Sequence, residues 1–349
     1  MPIPHGVPRR LFINIALVLF PHMGVFRSFS ATPRKISLVI IGIIWCATIL
    51  LAYRAWDGSR PPQHPLDIYT DSQNPRLLYR LRAHEHVLYD GLMVKLPVTT
   101  ILTNSRGFRD SDWSREKPAG TSRIVILGDS MAFGLGVEQD QTFPSVLENM
   151  LQREGERYEV LNMAVPGYNT LQEVELFREE GSFYEPDQII LQFLDNDWEN
   201  ITRVKQLFDT MHTRMPKEPP YSPAVEKAVF EQLWLEMRNM TFEDKWTSVE
   251  GPLRELHEQV NGTPVIILSF SFDLQKTKAL DIVGAELGWP VLHIADIYLD
   301  KPYSKMIVHP KDVHPSPEAH HLIAQALLAM IPVTGRERGA YSADGSAAS

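Results

Sequence analysis

Arg123-Ile124-Val125-Ile126-Leu127-Gly128-Asp129-Ser130 opens as a run of apolar, largely β-branched residues and stops abruptly at a turn, which continues Met131-Ala132-Phe133-Gly134. A short apolar run bounded by turn residues reads as a strand buried on both faces, as parallel sheets require. Ser130 then lies just past the carboxyl end of that strand, where open α/β sheets build their sites. Four further runs of the same kind follow: Tyr158 to Met163, Gln188 to Phe193, Pro264 to Phe270 and Val291 to Ile294. Segments of helical period separate them, so the chain predicts a parallel sheet with crossover helices.

The helices carry their own signals. Val146, Leu147, Met150 and Leu151 share one helical face, as do Ile323, Ala326, Leu327 and Met330 near the end. Ser316 is the expected N-cap of the final helix, with Pro317 at its first position. The spacing breaks once. Residues 198–263 are too many for a plain crossover, and their Pro-rich stretch followed by Trp-, Met- and Phe-rich sequence predicts an insertion of extra helices on the domain edge. Upstream, residues 54–121 lack a long helical period and read as a linker followed by short strands. The expected organisation is therefore 1–35 cytoplasmic, 36–53 membrane-spanning, 54–121 linker and short strands, 122–333 the α/β domain, and 334–349 a disordered tail.

Composition narrows the function classes. The 349 residues are 44% hydrophobic and 22% charged, with a net charge of -9, which argues against wholesale disorder and a polytopic membrane protein. Seven Lys/Arg against one acid give residues 1–60 a net of +6, leaving -15 for the rest. An acidic body is a poor match for nucleic acid, and no such partner is expected. Cys46 is the single cysteine, which excludes an intrachain disulfide and a cysteine-based zinc cluster.

Ile36 to Tyr53 runs 18 residues without a charge, and as a helix covers about 27 Å, close to a bilayer core. It ends in Ala52-Tyr53-Arg54-Ala55, unlike a signal-peptidase site, and is read as an uncleaved anchor. Arg9, Arg10, Arg27, Arg34 and Lys35 precede it, so the N-terminus is expected inside and the body outside the cytoplasmic membrane, in the periplasm or at the cell surface. The weaker apolar stretch Leu11 to Phe20 is read as an interfacial or re-entrant helix.

Polar signals recur at the loop positions that follow the strands. The first is Gly128-Asp129-Ser130; its alternative reading is a turn in which Asp129 or Ser130 merely caps the next helix. After the second strand comes Asn162-Met163-Ala164-Val165-Pro166-Gly167-Tyr168, after the third Asp195-Asn196-Asp197, and near the end Asp312-Val313-His314-Pro315. A serine hydroxyl is a weak nucleophile that needs a base within hydrogen-bond reach; His314 is the candidate, and Asp312 would hold its tautomer.

The order Gly128-Asp129-Ser130, Gly167, Asn196-Asp197, Asp312 with His314 resembles the SGNH/GDSL hydrolase family, over roughly Arg123 to Ile331. The preceding Asn104-Ser105-Arg106-Gly107-Phe108-Arg109-Asp110 resembles a segment found ahead of this domain in many bacterial members. The resemblance implies a flavodoxin-like three-layer α/β sandwich and the hydrolysis or transfer of acyl groups on esters, often acetyl groups on carbohydrates, with no cofactor. Together with the anchor it makes the leading expectation a serine esterase acting on acyl or acetyl esters of a cell-envelope carbohydrate or lipid, and no metal is expected. The resemblance also implies an oxyanion hole made by the backbone N–H groups of Ser130 and Gly167 and the side-chain amide of Asn196. Two departures stand out: the frequent Asp-x-x-His spacing would put the acid at Lys311, whereas Asp312 lies two residues before His314, and Leu194 replaces a common glycine.

Other residues are given plainer roles. Asp129 and Asp197 are expected to orient groups around the site, Arg106 and Arg109 to lie on a solvated turn or to meet an anionic substrate, and His320 and His321 to form a packing or surface pair. His309 lacks a nearby acid and is not expected to be the base. Two alternatives to hydrolysis share these residues: an O-acetyltransferase, and a silent envelope protein that binds polysaccharide in the cleft.

Overall fold

The computed structural model describes residues 68–91, 94–153, 157–198 and 241–332, all within a compact unit that runs from Pro62 to Ser349. The expectations for 36–53, Leu11 to Phe20, Cys46, the first part of the insertion and the tail lie outside these residues. Among the described residues no helix is long and apolar enough to cross a membrane.

Four short strands come first: β1 (Tyr69–Asp71), β2 (Tyr79–Leu81), β3 (His86–Tyr89) and β4 (Thr99–Leu102). They form two antiparallel hairpins, β1 with β2 and β3 with β4. The short strands expected upstream of the α/β domain are present over this stretch, and they are packed rather than tethered. Leu77, Tyr79, Val87, Tyr89, Ile101 and Phe108 are buried in the same apolar cluster as the sheet that follows.

That sheet consists of β5 (Ser122–Leu127), β6 (Tyr158–Asn162), β7 (Gln188–Phe193), β8 (Val265–Ser269) and β9 (Val291–His293). Its order is β6-β5-β7-β8-β9 and every pair is parallel, the doubly wound order with a switch point between β5 and β7. All five strands match the apolar runs to within a residue or so at each end. Every residue of β7 and β8 is buried, because helices cover both faces and no polar face is needed.

Between the strands lie α1 (Ser130–Phe133), α2 (Phe143–Arg153), α3 (Thr170–Glu179), α4 (Phe242–Gln259) and α5 (Leu274–Leu287); after β9 come α6 (Ile294–Tyr298), α7 (Tyr303–Met306), the hairpin β10 (Ile307–His309) and β11 (Asp312–Pro315), and α8 (Pro317–Met330). Helix α2 packs on α8, and α3 packs on α4. Ser316 caps α8, its Oγ accepting the Ala319 N–H. The latter part of the expected insertion is the β7–β8 crossover itself: α4 buries Val249, Leu253 and Leu256. Residues 199–240 lie outside the described part.

Candidate active site

The turn after β5 is built by short-range geometry and held from below. Asp129 caps α1, accepting the Met131 N–H, so both readings of the Gly-Asp-Ser turn coexist: the aspartate caps, and Ser130 is the first helical residue. Beneath it, Gln192 interrupts the apolar run of β7. Its Oε1 accepts the N–H groups of Asp129 at 2.9 Å and Ala132 at 3.3 Å. A Cβ at position 128 would stand 2.6 Å from that oxygen, which explains the glycine before the aspartate. The far end of α1 is held as well, since the Asn162 Nδ2 donates to the Ala132 carbonyl at 3.0 Å.

Ser130, His314 and Asp312 meet. His314 Nε2 lies 2.8 Å from Ser130 Oγ, and His314 Nδ1 lies 2.5 Å from Asp312 Oδ1. The two-residue spacing follows from the strand: residues i and i+2 of β11 project on one face, so a short carboxylate reaches the ring beside it. Asp312 also accepts the His314 backbone N–H. Burial works to raise the Asp312 carboxyl, but the hydrogen bonds and charge of His314 outweigh it and hold the group below its ordinary value. The Asp312 side chain is 8% exposed and that of His314 18%, a shielded acid behind a ring with an open edge.

Gly167 and Asn196 stand on the neighbouring strand ends. Gly167 has φ of 82° and is exposed, a left-handed conformation that glycine takes without a Cβ penalty. Asn196 lies on a single 3₁₀ turn, Asp195–Trp198, and its Nδ2 donates to the Tyr168 carbonyl at 3.1 Å. Asp197 folds this turn onto the start of α3, accepting the Thr170 hydroxyl at 2.9 Å and the Leu194 N–H at 2.6 Å. Leu194, in the place of a glycine, therefore contributes its N–H to that fold.

Burial dominates the electrostatics here. It raises the carboxyl of Asp129, although the Met131 N–H, the His314 charge and the side chains of Asn196 and Gln192 oppose it. It also raises Asp197 well above the usual carboxylate range, with Asp129 adding to the effect. Glu173, fully buried on the first turn of α3, is raised by burial and then by Asp197 and Asp129. Neither oxygen of Glu173 has a hydrogen-bond partner among the described residues. Its sequence context, on a helix with several glutamates, carries no sign of this.

Several expectations need correction. Arg109 is neither solvated nor available to a substrate: it is 2% exposed. Its Nη1 donates to the carbonyls of Phe133 at 3.1 Å and Gly134 at 2.5 Å. Its Nη2 donates to Thr100 at 2.9 Å and Val137 at 2.8 Å. Desolvating a cation costs several kcal/mol, and four charge-assisted bonds of about 1.5–3 kcal/mol each offset it. Burial lowers the guanidinium only to about 10, with Glu138 opposing, so it remains charged at neutral pH. Arg106, by contrast, does lie exposed on the turn, where it pairs with buried Glu180 at 2.6 Å.

The other histidines singled out take no part in the hydrogen-bonded relay, although His309 faces Asp312 across the β10–β11 hairpin and its charge helps hold that carboxyl down. His320 is fully buried, accepts the Phe143 N–H at Nδ1 and stacks on the Phe143 ring, and burial pushes it down to about 3. His321 is exposed, so the two are not a pair. His309 Nδ1 accepts the Lys311 N–H. Among the described residues no group of three or more His, Cys, Asp or Glu side chains is arranged to hold a metal ion.

No protein-family model and no curated protein matches the chain. Solved structures do. One is a lipase/acylhydrolase from Enterococcus faecalis, 15% identical with a TM-score of 0.42, covering 60% of this chain and 94% of the other. Another is an acetylxylan esterase from Geobacillus stearothermophilus, solved as a catalytic mutant, 14% identical with a TM-score of 0.41 over 59% of this chain and 92% of that one. A third, from Desulfitobacterium hafniense DCB-2, is described as a lipolytic protein of the G-D-S-L family, with 14% identity, a TM-score of 0.41, and coverage of 60% and 99%. The likeness is to GDSL-type lipases and esterases. At such identities and scores it lends no residue a role, and the chemistry rests on the geometry above.

Proposed function

We propose that the protein is a serine ester hydrolase of the SGNH/GDSL type, and the observation that carries this reading is the Ser130–His314–Asp312 hydrogen-bonded relay. Ser130 Oγ attacks the ester carbonyl carbon while His314 Nε2 takes the hydroxyl proton, and Asp312 stabilises the resulting imidazolium. The tetrahedral oxyanion is received by the N–H groups of Ser130 and Gly167 and the Asn196 amide. His314 returns the proton to the departing alcohol, leaving an acyl-serine. Water then attacks that ester with His314 as base, the carboxylic acid leaves, and Ser130 regains its proton.

The substrate class follows from the sequence resemblance: acyl or acetyl esters on a carbohydrate or lipid, presented at the cell envelope if the 36–53 stretch anchors the chain with its body outside. Ser130→Ala is expected to abolish p-nitrophenyl acetate hydrolysis and fluorophosphonate labelling while the circular dichroism spectrum and melting curve persist. Turnover equal to that of the wild type would reject the reading. Product analysis with a sugar acceptor separates hydrolysis from acyl transfer, and a C-terminal alkaline phosphatase fusion that is inactive in cells would reject the outside placement.

A further inference from the structure

We propose that the segment from Ile68 to Trp113, upstream of the α/β domain, is a positioning module for the oxyanion hole, acting chiefly through Arg109 and Tyr79; the inference rests on the hydrolase reading above.

The first contact is at the nucleophile turn. Helix α1 is four residues long, too short to satisfy its own terminal carbonyls, which must find donors elsewhere. Arg109 supplies them for Phe133 and Gly134 and ties the same guanidinium to Thr100 on β4 and to Val137. The cation also lies 5.4 Å from the Phe133 ring centroid. Next to it, Asp110 Oδ2 accepts the Asn162 N–H at 3.0 Å, and Asn162 Nδ2 holds the Ala132 carbonyl. The carbonyls of Ala132, Phe133 and Gly134 are thus all gripped directly or through Asn162 by two consecutive residues of this segment.

The second contact is at the other two oxyanion donors. Tyr79 on β2 donates its hydroxyl to the Pro166 carbonyl at 3.1 Å. A Cβ on Gly167 would stand 2.8 Å from that same hydroxyl. In return the Tyr168 hydroxyl donates to the Tyr79 carbonyl at 2.5 Å, and the Tyr168 carbonyl holds the Asn196 amide. Gln172 Nε2 adds a bond to the Leu77 carbonyl at 2.7 Å. One tyrosine therefore sets the turn that carries Gly167 and, through Tyr168, the side chain of Asn196.

The two contacts are joined inside the segment. Gly107 has φ of 91°, and a Cβ there would lie 2.2 Å from the Leu81 carbonyl, so the Asn104–Asp110 turn sits directly on the end of β2. Asn104 Oδ1 closes that turn by accepting the N–H groups of Arg106 and Phe108. The segment is a brace spanning the strand ends that carry Ser130, Gly167 and Asn196.

The test compares Arg109→Lys and Tyr79→Phe with Leu280→Ala, a buried position on α5 remote from these contacts. Full-length variants are assayed with p-nitrophenyl acetate well below their melting temperatures, alongside the rate of fluorophosphonate modification. Lysine keeps the charge but cannot reach four carbonyls at once. Misplacement of about an ångström can cost on the order of 100-fold, so Arg109→Lys is expected to lower kcat about 10- to 100-fold and Tyr79→Phe about 3- to 10-fold, with KM changed less than about twofold. The rate of fluorophosphonate modification should fall in parallel. Leu280→Ala is expected to melt earlier with unchanged kcat. If the wild type turns over and both variants keep its kcat, or lose it only in proportion to unfolded protein as Leu280→Ala does, the inference is overturned while the hydrolase reading stands. A wild type inert to both probes overturns the two together. Should Arg109→Lys fail to fold, Tyr79→Phe, which removes one oxygen, carries the decision.

Discussion

The carboxylate of Asp312 grips His314 twice, at the ring Nδ1 and at the backbone N–H, from two residues earlier on the same strand. The acid, the base and the backbone between them are therefore tied into one short hydrogen-bonded ring. Residues two apart on a strand share a face, so the pleat itself aligns acid and base.

The first prediction concerns that pair. Asp312→Asn keeps the shape but presents an amide to Nδ1 and favours the wrong tautomer, so kcat should fall about 10⁴-fold with little change in KM. Stability should respond as well. The folded carboxyl ionises below its ordinary 3.8, so its contribution is complete above that value and is lost as the pH falls beneath it. Urea unfolding at about pH 6 and about pH 3 should show the gap between wild type and variant narrowing in acid. A gap that does not change would contradict the account of the pair.

Glu173 has the opposite sign. Its folded value is raised well above the ordinary 4.5, so the folded state holds the proton more tightly than the unfolded state does. Its contribution is complete below 4.5 and is lost as the pH rises toward the folded value. Glu173→Gln removes the ionisation and should flatten the decline in melting temperature between about pH 5 and pH 9, with each kcal/mol regained at the alkaline end appearing as about 2–4 °C. Parallel pH curves for the two proteins would show that the buried acid does not titrate in that range.

Gln192 supports the nucleophile turn from β7. Gln192→Met is close in volume but leaves the buried N–H groups of Asp129 and Ala132 without their acceptor, at about 1–3 kcal/mol each. The expected result is a lower urea midpoint at unchanged m-value together with slower fluorophosphonate labelling. Full labelling speed in a destabilised protein would confine the side chain to a packing role.

How much of this was legible in the sequence depends on how local each cause is. The five sheet strands could be read because a parallel sheet buries both faces and writes itself as continuous apolar runs. The α8 start could be read because Ser316 and Pro317 act on residues within one turn. Ser130, Gly167 and Asn196 were legible as polar signals in the loops that follow strands, and Asp312 and His314 as an acid and a base two residues apart, which the structure places within β11.

Arg109 could not be read. A guanidinium in a turn rich in Asn, Ser, Gly and Asp looks solvated, and its burial depends on carbonyls as far as 28 residues away in sequence. Glu173 hid for a similar reason, since a glutamate on a polar helix meets Asp197 and Asp129 only once α3 packs behind the sheet. The sequence by itself determined the strand order of chemistry along the chain: which residue types stand at which strand ends. Tertiary structure alone decided which polar groups lose water, because burial and pairing are set by backbone brought together from distant parts of the chain, and that is where the site acquires its brace and its buried acids.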